Sequence, residues 1–123
     1  MNLSKSEEEV MSILWDIKKA YLKDILEYYP DPKPAPTTIA TLLKRMYDKG
    51  YITYETHGSS RCYSPDVSKK KYFRDHFSEL KRKFFNNSNS QLASFFAKEA
   101  SFTKAQLEEL KNIIEEEIKS KDE

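Results

Sequence analysis

Hydrophobic residues recur at helical spacing through the first third of the chain, and one proline-rich stretch interrupts them. Ser4 with Glu7, or Ser6 with Glu9, has the spacing of a capping box at a helix start. The apolar positions that follow lie three and four residues apart and predict a helix with one buried face. They are Val10, Ile13, Leu14 and Ile17. A second stripe predicts a short helix from about residue 21 to 29, and the prolines of "PDPKPAP" then predict a stiff connector.

A third helix is predicted to begin near Pro36, because proline is favoured in a first helical turn. Its inward positions are Ile39, Leu42, Leu43 and Met46. Its outward positions are Thr37, Thr38, Thr41, Lys44, Arg45 and Asp48. Small hydroxyls can approach base edges and phosphates closely, and basic side chains reach phosphate or guanine. The outward face therefore has the chemistry of a DNA-binding surface.

The chain contains only two glycines, and each has a reason at its own position. Gly50 directly follows the third helix, where glycine accepts the left-handed conformation that ends a helix. The segment 51–56, "YITYET", alternates like a strand, "HGSS" turns at Gly58, and "RCYS" returns. Three helices followed by a hairpin predict a winged helix-turn-helix. In that fold the third helix enters the major groove of DNA.

The second half of the chain is predicted to be helical, so the fold class is mainly α. Residues 1–67 would form the winged-helix DNA-binding domain and residues 68–123 a helical dimerisation domain, with helices at about 68–86, 91–98 and from Thr103 onward. Its apolar positions are Phe73, Phe77, Leu80, Phe84, Leu92, Phe95, Phe96, Leu107, Leu110, Ile114 and Ile118. These three helices cannot bury their apolar residues well in a core of their own. We expect them to pack against a second copy, and the alternative is that they fold back on their own winged helix.

Composition limits the function classes. The 123 residues suit one domain or two small ones, and no apolar run approaches the length of about 18 residues that spans a membrane. The first ten residues lack the apolar core of a signal peptide, so a cytoplasmic protein without membrane insertion is expected. Cys62 is the only cysteine and is interpreted as a buried strand residue. No catalytic set, cofactor motif or metal site is recognisable, which argues against an enzyme.

Charge is uneven along the chain although the net charge is only +1. Residues 33–61 carry a net +3, residues 69–83 a net +5 and residues 104–123 a net −3. This asymmetry favours a polyanionic partner, and the alternative is a set of solvated helix faces. The candidate DNA-binding residues are Thr37, Thr38, Thr41, Lys44, Arg45, His57 and Arg61. His57 and Arg61 are candidate phosphate contacts of the wing, and His57 could equally be a solvent-exposed turn residue.

The alternatives belong to two other classes of function. The winged helix could be a protein-interaction module, which the near-neutral balance of residues 1–67 (nine basic, ten acidic) favours slightly. A small-molecule-sensing regulator would need convergent polar groups around a pocket, and the sequence has none.

Five segments together carry a specific resemblance. "LSKSEEEVMSILW" at 3–15 is similar to a family's opening helix, and "TTIATLLKRMYDKGYI" at 37–52 to its recognition helix and exit. "CYSP" at 62–65 resembles the end of the wing, and "LASFFAKE" at 92–99 and "QLEELKNII" at 106–114 resemble the C-terminal helices. Over nearly its whole length the chain resembles the BlaI/MecI penicillinase-repressor family.

The resemblance implies a homodimeric repressor of β-lactam resistance genes that binds palindromic double-stranded operator DNA. It also implies inactivation by proteolysis after a membrane sensor-protease detects a β-lactam, with cleavage nearest the Phe95–Phe96 bond. Ala40 stands where relatives carry Arg or Gln on the exposed face of the recognition helix. Most DNA contacts of this chain are therefore expected to be to phosphate. Control of unrelated genes by a different signal is the alternative.

Overall fold

A computed structural model describes residues 3–122 of the chain. The helices are α1 (Lys5–Ile17), α2 (Leu22–Tyr28), α3 (Pro36–Asp48), α4 (Lys69–Phe84), α5 (Asn89–Glu99) and α6 (Lys104–Lys121). The strands are β1 (Ile52–His57) and β2 (Ser60–Pro65). The predicted mainly helical fold with a β-hairpin after the third helix is confirmed. The chain divides into two compact units, Met1–His76 and Phe77–Glu123.

The start of α1 is fixed by one of the two predicted capping boxes. The Ser4 hydroxyl accepts the backbone N–H of Glu7, and the Glu7 carboxylate accepts the backbone N–H of Ser4 at 2.7 Å. These bonds satisfy two amide groups that a helix start otherwise leaves without partners. The Ser4–Glu7 alternative is therefore the one that forms.

One apolar core holds the first unit together. In it α1 packs on α3, α2 and β2, and α3 also packs on α2 and β1. The inward residues predicted for α3 are all buried. The core residues are Val10, Met11, Ile13, Leu14, Ala20, Ile25, Ile39, Leu42, Leu43, Met46, Tyr51, Ile52 and Tyr72. A large apolar side chain in such a core contributes roughly 1.5–3 kcal/mol by its burial, so this core fixes the orientation of α3 within the unit.

The hairpin between β1 and β2 is antiparallel, with Tyr54 opposite Tyr63 and His57 opposite Ser60. Gly50 and Gly58 both have positive φ angles, as their predicted roles require. The turn is shorter than predicted, because His57 and Ser60 pair as strand residues. The sequence pattern did not predict one further pairing outside the hairpin, in which Ala20 exchanges two backbone hydrogen bonds with Tyr63.

The second unit continues α4 beyond residue 76 and adds α5 and α6. Ser88 caps α5, and Thr103 with Gln106 forms the capping box predicted for the last helix. None of the described residues 77–122 is buried. Apolar side chains of all three helices therefore remain in contact with solvent within this unit.

The division after residue 76 falls inside α4 and nine residues beyond the predicted boundary at 67/68. The buried Tyr72 explains the difference, because its ring contacts the rings of Trp15 and Tyr51 in the first unit. The Tyr72 hydroxyl also donates to the Glu8 carboxylate at 2.6 Å. The first turns of α4 thus belong to the core that α1 builds.

Candidate nucleic-acid interface

The outer face of α3 carries the hydroxyl and basic side chains that the sequence placed there. Thr37, Thr38, Thr41, Lys44 and Arg45 are all exposed, on the side of the helix opposite its buried stripe. Pro36 is the first helical residue, and Ala35 before it provides no side-chain cap. The structure therefore brings the five predicted α3 residues together on one accessible surface.

Their side chains differ in how freely they can bind a ligand. The Thr41 hydroxyl donates to the Thr37 carbonyl at 2.9 Å, and Lys44 forms an exposed ion pair with Asp48 at 3.0 Å. The Arg45 guanidinium has no hydrogen bond, ion pair or ring contact within residues 3–122. Arg45 is thus the unpaired cation of this face, whereas Lys44 is partly neutralised by its neighbour.

On the wing, the His57 ring lies between two protein groups. Its Nδ1 is 2.8 Å from the Tyr21 hydroxyl, and its Nε2 is 3.2 Å from the Glu55 carboxylate. A neutral ring with the proton on Nε2 satisfies both, because it donates to Glu55 and accepts from Tyr21. His57 is exposed, but it is the last residue of β1 rather than a turn residue, and both ring nitrogens already have protein partners.

Arg61 and three tyrosines form a cluster that the sequence reading missed. The Arg61 guanidinium carbon lies 4.4 Å from the centre of the Tyr54 ring. The centre of the Tyr54 ring lies 4.9 Å from the centre of the Tyr47 ring on α3 and 5.8 Å from the centre of the Tyr63 ring on β2. The alternation in "YITYET" was the sequence signal that could have indicated this shared face, since residues two apart lie on one face of a strand. Cys62 lies on the other face of β2, and it is half-buried rather than buried as the sequence had been interpreted.

The connector between α2 and α3 is held by a lysine within the proline-rich stretch. The Lys33 ammonium donates to the carbonyls of Leu26, Glu27 and Tyr29, at 3.2, 3.3 and 2.7 Å. These carbonyls lie at the C-terminal end of α2, where a positive charge also suits the helix dipole. Lys33 thereby joins the end of α2 to the segment that leads into α3.

The far end of α3 is tied to α1 by an ion pair between Glu7 and Lys49 at 2.7 Å. The Glu7 side chain is only 1% exposed, whereas that of Lys49 is 38% exposed. Burial raises the pKa of the Glu7 carboxyl, but hydrogen bonds from Lys49 and Ser4 outweigh it, so the pKa is lowered from its ordinary value. A charged Glu7 therefore helps to hold the C-terminal end of α3 in place.

Residues 3–122 contain no group of three or more His, Cys, Asp or Glu placed to hold a metal ion. No helix in the described part of the chain combines the length and the apolar character needed to span a membrane.

Comparison with known proteins decides the family. Residues 3–116 match the profile of the family described as penicillinase repressor. The chain belongs to the penicillinase repressor family. The family resemblance read from the sequence is thereby confirmed.

Individual relatives extend the match over most of the chain. The penicillinase repressor of Bacillus licheniformis is 23% identical over 115 residues, covering 93% of this chain and 90% of that protein. The methicillin resistance regulatory protein MecI of Staphylococcus aureus (strain N315) is 28% identical over 113 residues, covering 91% and 92% respectively. The solution structure of the DNA-binding domain of the repressor BlaI superposes with a TM-score of 0.51 at 25% identity, covering 58% of this chain and 88% of that domain. The winged-helix assignment is confirmed by this structural likeness.

In this penicillinase repressor family member, the predicted dimerisation residues are largely uncovered. Phe77 is 53% exposed, Phe84 74% and Ile118 57%, and Leu92 and Leu110 are half-buried. Ile113, at 58%, belongs to the same exposed set but was missed by the sequence reading. Phe73 lies in the first unit, against Trp15 and Tyr72. The helices of the second unit thus leave a large apolar surface open.

Part of that surface is an apolar cleft between α4 and α5 that includes both residues of the predicted cleavage point. Its lining residues are Phe77, Leu80, Phe84, Phe85, Leu92, Phe95 and Phe96. The Phe95 ring packs on Phe85 at 5.4 Å and the Phe96 ring on Phe102 at 5.3 Å. The Phe95–Phe96 bond lies within α5, so a protease could reach it in extended form only after this helix opens locally.

Proposed function

We propose that this family member is a homodimeric transcriptional repressor that binds palindromic operator DNA through α3 and the wing. We also propose that it controls β-lactam resistance genes and is inactivated by cleavage near Phe95–Phe96. The observation that carries the DNA-binding part is the unpaired Arg45 guanidinium on the exposed face of α3. A cation that pairs with no group within residues 3–122, on a helix held at both ends, is available for a phosphate or a guanine.

Both ends of α3 support this assignment. Lys33 fixes the connector that leads into the helix, and the Glu7–Lys49 ion pair fixes the segment that leaves it. A rigid helix loses little conformational entropy when it enters a groove, so more of the free energy of each contact contributes to binding affinity. Thr37 and Thr38 are the hydroxyl side chains near its start, and Arg61 supplies a cation from the wing.

The uncovered apolar surface of the second unit supports a homodimer. Soluble monomers rarely expose contiguous apolar patches beyond a few hundred Å². A second copy of the same chain offers an identical apolar surface, and a two-fold axis would bring like helices together. Two α3 helices related by such an axis would read two half-sites of a palindrome.

The β-lactam assignment rests on the relatives. One is named a penicillinase repressor and another a methicillin resistance regulatory protein, and both align over about nine-tenths of this chain. A membrane sensor-protease is the proposed partner that delivers the cut. The position of Phe95–Phe96 in α5, between the DNA-binding unit and α6, supports a cut that separates α6 from α3.

The first experiment measures DNA binding and its dependence on salt. Full-length protein is titrated onto a labelled fragment of its own promoter between 50 and 200 mM salt. If Lys44, Arg45 and Arg61 of two protomers contact about six phosphates, affinity should fall by about a thousandfold over that range because counterions are released. A scrambled fragment of equal length is the control. A flat salt dependence would contradict a DNA-binding surface built on these cations.

A further inference from the structure

The face of the hairpin that meets α3 carries two tyrosines, which form a column of three with a tyrosine of α3. Tyr54 and Tyr63 are direct cross-strand partners, and the Tyr47 ring from α3 completes the column at 4.9 Å from Tyr54. Arg61 pairs with Thr56, two residues beyond Tyr54, so Arg61 projects from the same face of the hairpin as the tyrosines. The column therefore links the recognition helix, the hairpin and the cation of the wing.

The Tyr54 ring also limits where Arg61 can go. An exposed arginine side chain normally samples many rotamers, and fixing it in a complex costs conformational entropy. Here the guanidinium carbon lies 4.4 Å from the ring centre, which is a cation–π contact. The contact holds Arg61 over a cleft that is lined on the α3 side by Ala40, Lys44 and Asp48.

We propose that Tyr54 is a positioning residue for DNA binding. Its ring stacks the Arg61 guanidinium and its contact with Tyr47 places that stack beside α3, so that Arg61 and α3 meet one phosphate backbone as a preformed surface. This inference rests on the proposed DNA-binding function. The ligand it names is the phosphate backbone beside the groove that α3 enters.

The test is a double-mutant cycle on operator affinity in the full-length protein. Tyr54→Leu should weaken binding by about two- to fivefold for each protomer, the scale of an exposed cation–π contact. The matched variant Tyr54→Phe keeps the ring and should bind as the wild type does. In an Arg61→Ala background, Tyr54→Leu should have no further effect, because the side chain that it positions is gone.

Equal weakening by Tyr54→Leu in both backgrounds would overturn the inference, since Tyr54 would then act independently of Arg61. Equal weakening by Tyr54→Phe and Tyr54→Leu would overturn it too, because the hydroxyl rather than the ring would be responsible. If the wild type bound no DNA, the proposed function itself would fail, and the role of Tyr54 with it.

A second measurement on the free protein does not depend on DNA or on the folding of Tyr54→Leu. A proton over an aromatic ring resonates upfield, so the Arg61 Nε–H and δ-methylene signals should be shifted upfield in the wild type and in Tyr54→Phe. Unshifted Arg61 signals in the wild type would overturn the inference whatever the binding data show.

Discussion

At the scale of single residues, Arg45 offers the most direct test of the proposed DNA contact. Arg45→Ala should weaken operator binding by about 1–3 kcal/mol, which is the usual size of a good groove or charged phosphate contact. The variant should fold normally, because Arg45 is exposed and outside the core. Affinity is measured by gel shift or fluorescence anisotropy at moderate salt.

The matched control for this experiment is Arg74→Ala, which removes the same charge from an exposed position on α4. A loss specific to Arg45 separates a contact from a change in net charge. Unchanged affinity of Arg45→Ala would remove this residue from the proposed site.

Glu7 shows what sequence spacing could and could not predict about a residue. Its distance from Ser4 predicted the capping box, which depends on neighbours three residues apart. The ion pair with Lys49 joins residues 42 positions apart and depends on how α1 packs on α3. The same applies to the tyrosine column, because the alternation of residues 51–56 shows which residues share a face but not that Tyr47 of α3 meets it.

The lowered pKa of Glu7 predicts how stability should change with pH. In the folded chain the carboxyl binds its proton less readily than in the unfolded chain, whose ordinary pKa is near 4.5. The ion pair's contribution is therefore complete above that value and is lost as the pH falls through the folded pKa. Glu7→Gln should lower the free energy of unfolding at neutral pH by about 1–3 kcal/mol and remove this part of the pH dependence.

The measurement follows the fluorescence of Trp15, the only tryptophan, which packs against Tyr72 in the first unit. Denaturant unfolding is compared between pH 7 and pH 3 for the wild type, Glu7→Gln and the exposed control Glu9→Gln. If Glu7→Gln kept the same difference in stability between the two pH values as the wild type, Glu7 would not be the titrating group.

At the scale of elements, every helix and the hairpin could be predicted from periodicity and from the two glycines. These signals work because helix stripes, caps and turns depend on residues within a few positions of one another. Two further contacts between distant segments could not be predicted this way. They are the pairing of Ala20 with Tyr63 and the burial of Tyr72 against α1. Because Tyr72 is part of the core, the first unit ends nine residues after the predicted boundary.

The connector between α2 and α3 gives the prediction at this scale. Lys33→Met should lower the free energy of unfolding of the first unit by about 1 kcal/mol, because the carbonyls at the end of α2 lose a charged donor. For a unit of this size, that corresponds to a fall in Tm of about 4–8 °C. Lys23→Met, which removes an exposed lysine of α2, is the control. Equal melting temperatures for the two variants would mean that the Lys33 bonds add no stability.

At the scale of the whole molecule, the proposed repressor couples two tasks that occupy different parts of the chain. A single winged helix has only the small contact area of one half-site. If two copies are linked, the second half-site is engaged at a high effective concentration, so affinity rises without any new DNA contact. The apolar residues of α6 would then control DNA affinity although they lie far along the chain from α3.

The last prediction separates dimerisation from DNA contact. A chain ending at Phe95 lacks Leu107, Leu110, Ile114 and Ile118, each worth roughly 1.5–3 kcal/mol if fully buried between two copies. We expect it to sediment as a monomer at micromolar concentration and to lose operator binding while keeping a folded first unit. The full-length variant Ile114→Glu/Ile118→Glu should do the same without any truncation, whereas Asn112→Glu, an exposed polar position on α6, should leave both properties unchanged. If the shortened chain stays dimeric and binds the operator as tightly as the full chain, cleavage in α5 cannot be the step that releases the operator.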